Sequence, residues 1–150
     1  MSPNNSISLV IKSLSCNESL ARSVVAAFCV ELSPTLEEIN DIKTSVSEAV
    51  TNSIVHGYDK MPIGWITINA AIDKDTLHLE IIDSGGGIED IPKARQTFFT
   101  TKPQEERSGM GFTVMESFMD TLEVAEGLDG GTIVRMTKKI IGNNQKRHAG

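Results

Sequence analysis

At 150 residues and 16.3 kDa, with 39% hydrophobic and 23% charged residues, the chain has the length and composition of one soluble globular domain. No window approaches the roughly 18 continuous apolar residues of a membrane span. The opening MSPNNSISLV lacks the basic-then-apolar layout of a signal peptide, so the expected compartment is the cytoplasm. A net charge of −6 repels phosphate backbones and argues against direct nucleic-acid binding. Cys16 and Cys29 lack metal or redox spacing and are expected to be small buried hydrophobes.

Alternation over Ile7–Ile11 predicts a first strand. Asn17 then has the chemistry of a helix N-cap, and Leu20, Val24, Ala27, Phe28 and Leu32 fall on one face of the helix it would start. Ser33-Pro34 reads as a second helix start with Pro34 at the first helical position, followed by Glu37 and Glu38 at the positive helix end. Ile39, Ile42, Val46, Ala49, Val50 and Ile54 form the apolar stripe of this second helix, which should be capped at Gly57.

Two strands, Trp65–Ile72 and Thr76–Ile82, follow around the turn Asp73-Lys74-Asp75. Residues 83–111 are rich in Gly, Pro, Thr and charge, with a short helical piece near Lys93, and long irregular segments of this kind tend to carry function. A helix over 110–119 and strands Thr121–Glu126 and Thr132–Thr137 complete the order, and Lys138, Lys139, Lys146 and Arg147 read as a solvated basic tail from about residue 139. The expected fold class is α+β: a single-domain, two-layer sandwich of an open mixed or antiparallel sheet with helices on one face.

Three elements carry chemistry. On the second helix Glu48, Asn52 and His56 are four apart and trace one stripe. The carboxylate of Glu48 can orient a nucleophile or take its proton, and the Asn52 amide oxygen can complete an Mg²⁺ shell. An ordinary polar helix face has the same pattern. Asp83-Ser84-Gly85-Gly86-Gly87 follows a strand directly; an aspartate there can accept from an exocyclic amine, and the glycines let backbone approach a flat ligand. A plain glycine turn also fits. Thr100-Thr101-Lys102-Pro103, then Arg107-Ser108-Gly109-Met110-Gly111, lead into a helix whose free amides and dipole suit an anion, with Lys102 and Arg107 adding charge. This spacing is neither the Walker A pattern nor the dinucleotide fingerprint.

Taken in order, the three elements resemble the gyrase, heat-shock chaperone, histidine kinase and mismatch-repair (GHKL) ATPase fold. Glu48-Ala-Val-Thr-Asn52 is similar to its N box, Asp83 to Gly87 to its first glycine box, and Gly109-Met110-Gly111 to its second. Gly131-Thr132 resembles the late threonine that supports adenine recognition. The resemblance implies a mobile lid over bound ATP at 88–107. Ser47 to Tyr58 and Phe99 to Phe112 narrow it to the anti-sigma F factors of spore-forming bacteria.

That family implies an ATP- and Mg²⁺-dependent homodimer that holds a sporulation sigma factor and phosphorylates an anti-anti-sigma protein on serine. Glu48 would act on the serine hydroxyl, Asn52 would bind Mg²⁺, and Asp83 would read adenine. His56, Gly85, Gly87, Thr100, Thr101, Lys102, Arg107, Ser108 and Gly109 to Gly111 would complete the nucleotide site with Thr132. Asn17 to Arg22 resembles the segment whose arginine meets the protein partners. Alternatives are a general-stress anti-sigma kinase of the same family and an ATP-gated binding module without kinase activity. A sensor histidine kinase fits less well, because His56, His78 and His148 do not sit like its phospho-acceptor.

Overall fold

The computed structural model describes residues 4–58, 64–85, 111–127 and 130–142. The order is β1 (Asn5–Lys12), α1 (Cys16–Phe28), α2 (Leu36–Asn52), β2 (Trp65–Asp73), β3 (Thr76–Asp83), α3 (Gly111–Phe118), β4 (Thr121–Glu126) and β5 (Thr132–Lys139). Every described strand pairing is antiparallel, in the order β1-β2-β3-β5-β4. The period-2 pattern assigns the two faces of this sheet. Ile66, Ile68, Leu77, Leu79, Ile81, Val134 and Met136 are buried in one cluster with Ile42, Val46, Ala49 and Val50 of α2. Removing each of the larger side chains in this cluster from water contributes about 1.5–3 kcal/mol.

The opposite face is polar and crossed by a continuous line of contacts. Ser8 Oγ donates to Asn69 (2.7 Å), Asn69 Nδ2 to Glu80 (3.0 Å) and Arg135 Nε to Glu80 (2.9 Å), and Arg135 also pairs with Glu123 at 3.5 Å. These are register partners in all five strands. A one-residue slip would break the whole line and turn the apolar set to solvent.

The helices differ in detail from the sequence expectation. α1 begins at Cys16, which is exposed, so Asn17 lies inside the first turn and its amide donates to Lys12 O at 3.1 Å instead of capping. Its buried line is Ala21, Val25 and Cys29, one position on from the expected stripe, and Leu20 is 49% exposed. Ala21, Val25 and Cys29 are buried in one cluster with Ile42, Val46, Ala49 and Val50 of α2. Cys29 is buried, and desolvation, then the charge of Glu31, push its thiol up to about 12, so it packs as a hydrophobe.

α2 starts after Thr35 rather than Ser33-Pro34. Thr35 and Glu38 form a reciprocal capping box, Thr35 N donating to Glu38 Oε1 (2.9 Å) and Glu38 N to Thr35 Oγ1 (3.1 Å). Glu38 has a second task, accepting from Ile141 N (2.8 Å) and Gly142 N (3.0 Å). Lys138 is likewise held, donating to Phe118 O at 2.7 Å and pairing with Asp41 at 3.6 Å. The chain is therefore built into the fold as far as Gly142, past the point near residue 139 where a flexible tail was expected to begin. Residues 143–150, like the helical piece expected near Lys93 and the lid at 88–107, lie outside the described residues.

Burial alone would raise the pKa of Glu38, but the hydrogen bonds it accepts hold the carboxyl below the usual glutamate range. Its contribution to stability is therefore complete above the unfolded-state value and is lost as pH falls through the lowered folded value. Glu38→Gln, which places an amide NH2 among donors, should cost about 1–3 kcal/mol at neutral pH. Melting curves against pH check this: the gap between wild type and variant should narrow on acidification, and a constant gap would dismiss the carboxylate's role.

Candidate functional site

α2 does not end at Gly57 in a left-handed cap. The chain widens at Ser53–Gly57 into a π turn, closed by Tyr58 N donating to Ser53 O at 3.1 Å. Gly57 meets a different requirement, because a Cβ there would lie 2.9 Å from Asp83 Oδ1. At Gly85 a Cβ would lie 1.9 Å from Gly57 O, and at Gly131 one would lie 1.8 Å from Asp83 O. Three backbone segments therefore converge on Asp83 more closely than side chains permit.

Asp83 ends β3 directly opposite Thr132, the first residue of β5. The residue is 5% exposed. Oδ2 accepts from Ser53 Oγ at 2.9 Å and Oδ1 from Gly85 N at 3.1 Å. Burial, the strongest influence, pushes the carboxyl above the ordinary aspartate range, against these hydrogen bonds and that of the Thr132 backbone. Ionised Asp83 remains an acceptor with lone pairs for a donor entering the crevice.

The crevice is lined by Asn52, His56, Gly57, Asp83, Phe112 and Thr132, among others, so four predicted residues from three different elements share one wall. Asn52 is 7% exposed and recessed, whereas Glu48, one turn earlier on α2, is half-buried. His56 lies within the π turn, so the even advance expected from an uninterrupted helix does not extend to it. Gly85 sits in the Asp83 turn and Gly111 opens α3. Arg22 is on α1, outside the crevice, and pairs with Glu18 at 3.5 Å with 41% of its side chain exposed. Gly87, Thr100, Thr101, Lys102, Arg107, Ser108, Gly109 and Met110 lie outside the described residues.

Ser53 and Tyr58 carry no sequence signature of their contacts to Asp83 and Ser84. A buried hydroxyl beside Asn52 has no sequence signature apart from the π turn that aims it.

Residues 13–138 match the family described as histidine kinase-like ATPase domain. The chain is 59% identical over 140 residues to the anti-sigma F factor of Thermoanaerobacter sp. (strain X514), covering 93% of this chain and 97% of that one. It is 57% identical over 145 residues to the anti-sigma F factor of Caldanaerobacter subterraneus subsp. tengcongensis, covering 97% and 100%. The fold resembles the crystal structure of the RsbU and RsbW domains of a Mycobacterium tuberculosis protein, with a TM-score of 0.64 at 19% identity, over 92% of this chain and 32% of that one. The fold is thus that of a histidine kinase-like ATPase domain. Within that class, the chain belongs to the anti-sigma F factor family.

The convergence on Asp83 makes a steric prediction. Gly85→Ala places a methyl group against the Gly57 carbonyl, which is backbone and cannot rotate away. Overpacking of this kind costs about 1–3 kcal/mol. A melting curve should show the loss, and an unchanged midpoint would mean that the turn relaxes freely.

Proposed function

We propose that this chain is a cytoplasmic, homodimeric, ATP-dependent anti-sigma factor and protein-serine kinase, holding a sporulation sigma factor and phosphorylating an anti-anti-sigma protein. One observation supports the reading above the others: the acceptor Asp83, fixed at a strand end, shares a crevice with Asn52 and Thr132. A buried carboxylate facing a cleft suits the exocyclic amine of adenine, and Thr132 opposite it suits the supporting role. Among the described residues no helix is long and apolar enough to cross a membrane. The net charge of −6 favours control through proteins rather than direct contact with nucleic acid.

No cluster of three or more His, Cys, Asp or Glu able to hold a metal occurs among the described residues. The single amide oxygen of Asn52 instead fits Mg²⁺ that arrives with a nucleotide, since that ion usually keeps waters and substrate phosphates with one or two protein ligands. When bound, it neutralises polyphosphate charge. Glu48, one turn from Asn52, takes the proton of the partner's serine hydroxyl as the serine oxygen bonds to the γ-phosphorus and the bond to the departing ADP oxygen breaks. Lys102 and Arg107, with the backbone from Thr100 and Thr101 to Ser108, Gly109, Met110 and Gly111, cover the phosphates. His56, Gly85 and Gly87 wall the nucleotide.

The test uses labelled ATP and an anti-anti-sigma protein. Wild type should label a serine of the partner, and Glu48→Gln should lower the rate about 10²- to 10⁴-fold while leaving ATP binding nearly intact. Labelling by Glu48→Gln at the wild-type rate would remove Glu48 from this role, and no labelling by wild type would leave an ATP-gated binding module.

Arg22 is the proposed partner contact. It is part-exposed beside exposed Leu20, and its planar fork can pair bidentately with carboxylates. Arg22→Ala should weaken sigma-factor capture by about 2 kcal/mol or more, a typical hot-spot loss, with ATP affinity and melting temperature almost unchanged. A pull-down beside a melting curve decides, and normal capture returns Arg22 to a solvated surface residue.

A further inference from the structure

Tyr58 is 8% exposed, and its hydroxyl makes two hydrogen bonds at once. It donates to the Trp65 carbonyl at 2.8 Å and accepts from the Ser84 amide at 2.8 Å. Ser84 is the residue after Asp83, so the hydroxyl holds the backbone on the side of Asp83 away from the strand. Trp65 opens β2, the neighbour of β3, so the anchor is part of the sheet. The ring lies against Gly64, where a Cβ would come within 2.1 Å of it, leaving the phenol little room to tilt.

The π turn explains why one segment can hold Asp83 twice. Ser53 and Tyr58 are five residues apart, and on a regular α-helix their side chains would diverge by about 140°. The widened turn joins these two residues by its closing hydrogen bond and brings them to the same side. Ser53 then reaches the Asp83 carboxylate and Tyr58 reaches the next peptide. With the Gly57 carbonyl pressed against Gly85, the acceptor is held at its side chain, its following amide and its turn. Recognition of a donor by a single buried acceptor depends on the angle as much as on the distance.

We propose that Tyr58 is a positioning residue for base recognition, its hydroxyl fixing the 83–85 turn so that the Asp83 carboxylate faces the exocyclic amine of adenine. The inference rests on the adenine-reading role given to Asp83 above. Without the hydroxyl, the Ser84 amide loses its partner, the turn rotates to find another, and the carboxylate follows. Contacts to the phosphates are made elsewhere and are untouched.

Calorimetry with two nucleotides separates the possibilities: ATP, and purine riboside triphosphate, which lacks the exocyclic amine. Wild type should prefer ATP. In Tyr58→Phe, ATP affinity should fall about tenfold while that for purine riboside triphosphate stays constant, because one oriented hydrogen bond is lost. 3-Fluorotyrosine at position 58 keeps the hydroxyl and should restore the preference. A Tyr58→Phe protein that keeps the wild-type preference, or loses affinity for both nucleotides equally, overturns the positioning role. Equal affinity of wild type for both nucleotides overturns the reading of Asp83 itself. If Tyr58→Phe does not fold, 4-aminophenylalanine at 58 still donates to Trp65 but accepts poorly. Collapse of the preference is then expected, and its retention refutes the proposal.

Discussion

Withdrawing the carboxylate of Asp83 from water is costly, and much of the local structure can be understood as the response to that cost. A buried charge needs donors in fixed positions, and these come from the Ser53 hydroxyl, the Gly85 amide and the Thr132 backbone. Each belongs to a different segment, so α2's extension, the end of β3 and the start of β5 must all arrive at one point. Three glycines admit this only because none adds a side chain between the backbones. The sheet supplies the rigidity: β3 is flanked by β2 and β5, and Asp83 and Thr132 form the last pair of their ladder.

α2 links this point to the rest of the chain. Its apolar stripe settles on the sheet through Ile42, Val46, Ala49 and Val50, while Glu48 and Asn52 occupy other sides of the same helix. Anything that shifts the helix along the sheet would move the proposed base and metal ligand together relative to Asp83. The two ends of α2 are secured differently, by a capping box at Thr35 and by a widened turn at Ser53. The first is a stability device. The second orients side chains that an ordinary helix would scatter.

Much of this was readable from residue order. Alternation gave the strands within two residues or so, and the stripe from Ile42 to Ile54 gave the packed face of α2. Asp83 at a strand end before glycines, and Asn52 four residues after Glu48, were visible as patterns that the fold brings near one another. What escaped depends on choices between adjacent residues with similar chemistry. Ser33-Pro34 and Thr35 offer competing helix starts, and Glu38's two further backbone donors, more than a hundred residues away, are invisible locally. On α1, Leu20 and Ala21 are adjacent candidates for the buried line, and the larger residue was outside. Gly57 illustrates the same limit, since a glycine after a helix is ordinarily a cap, and only the position of Asp83 shows that it makes space.

Glu38 meets Ile141 and Gly142 across sequence separations of 103 and 104 residues. Contacts of such separation close the largest loops in a chain and are among the slowest to be rewarded during folding. During synthesis from the N-terminus, α2 can be capped by Thr35 long before its glutamate receives the last two amides. Until β5 has been made and placed, that carboxylate lacks the amides of Ile141 and Gly142. The clasp thus records completion: it can close only on a chain that has been translated to residue 142 and whose final strand lies in its proper slot.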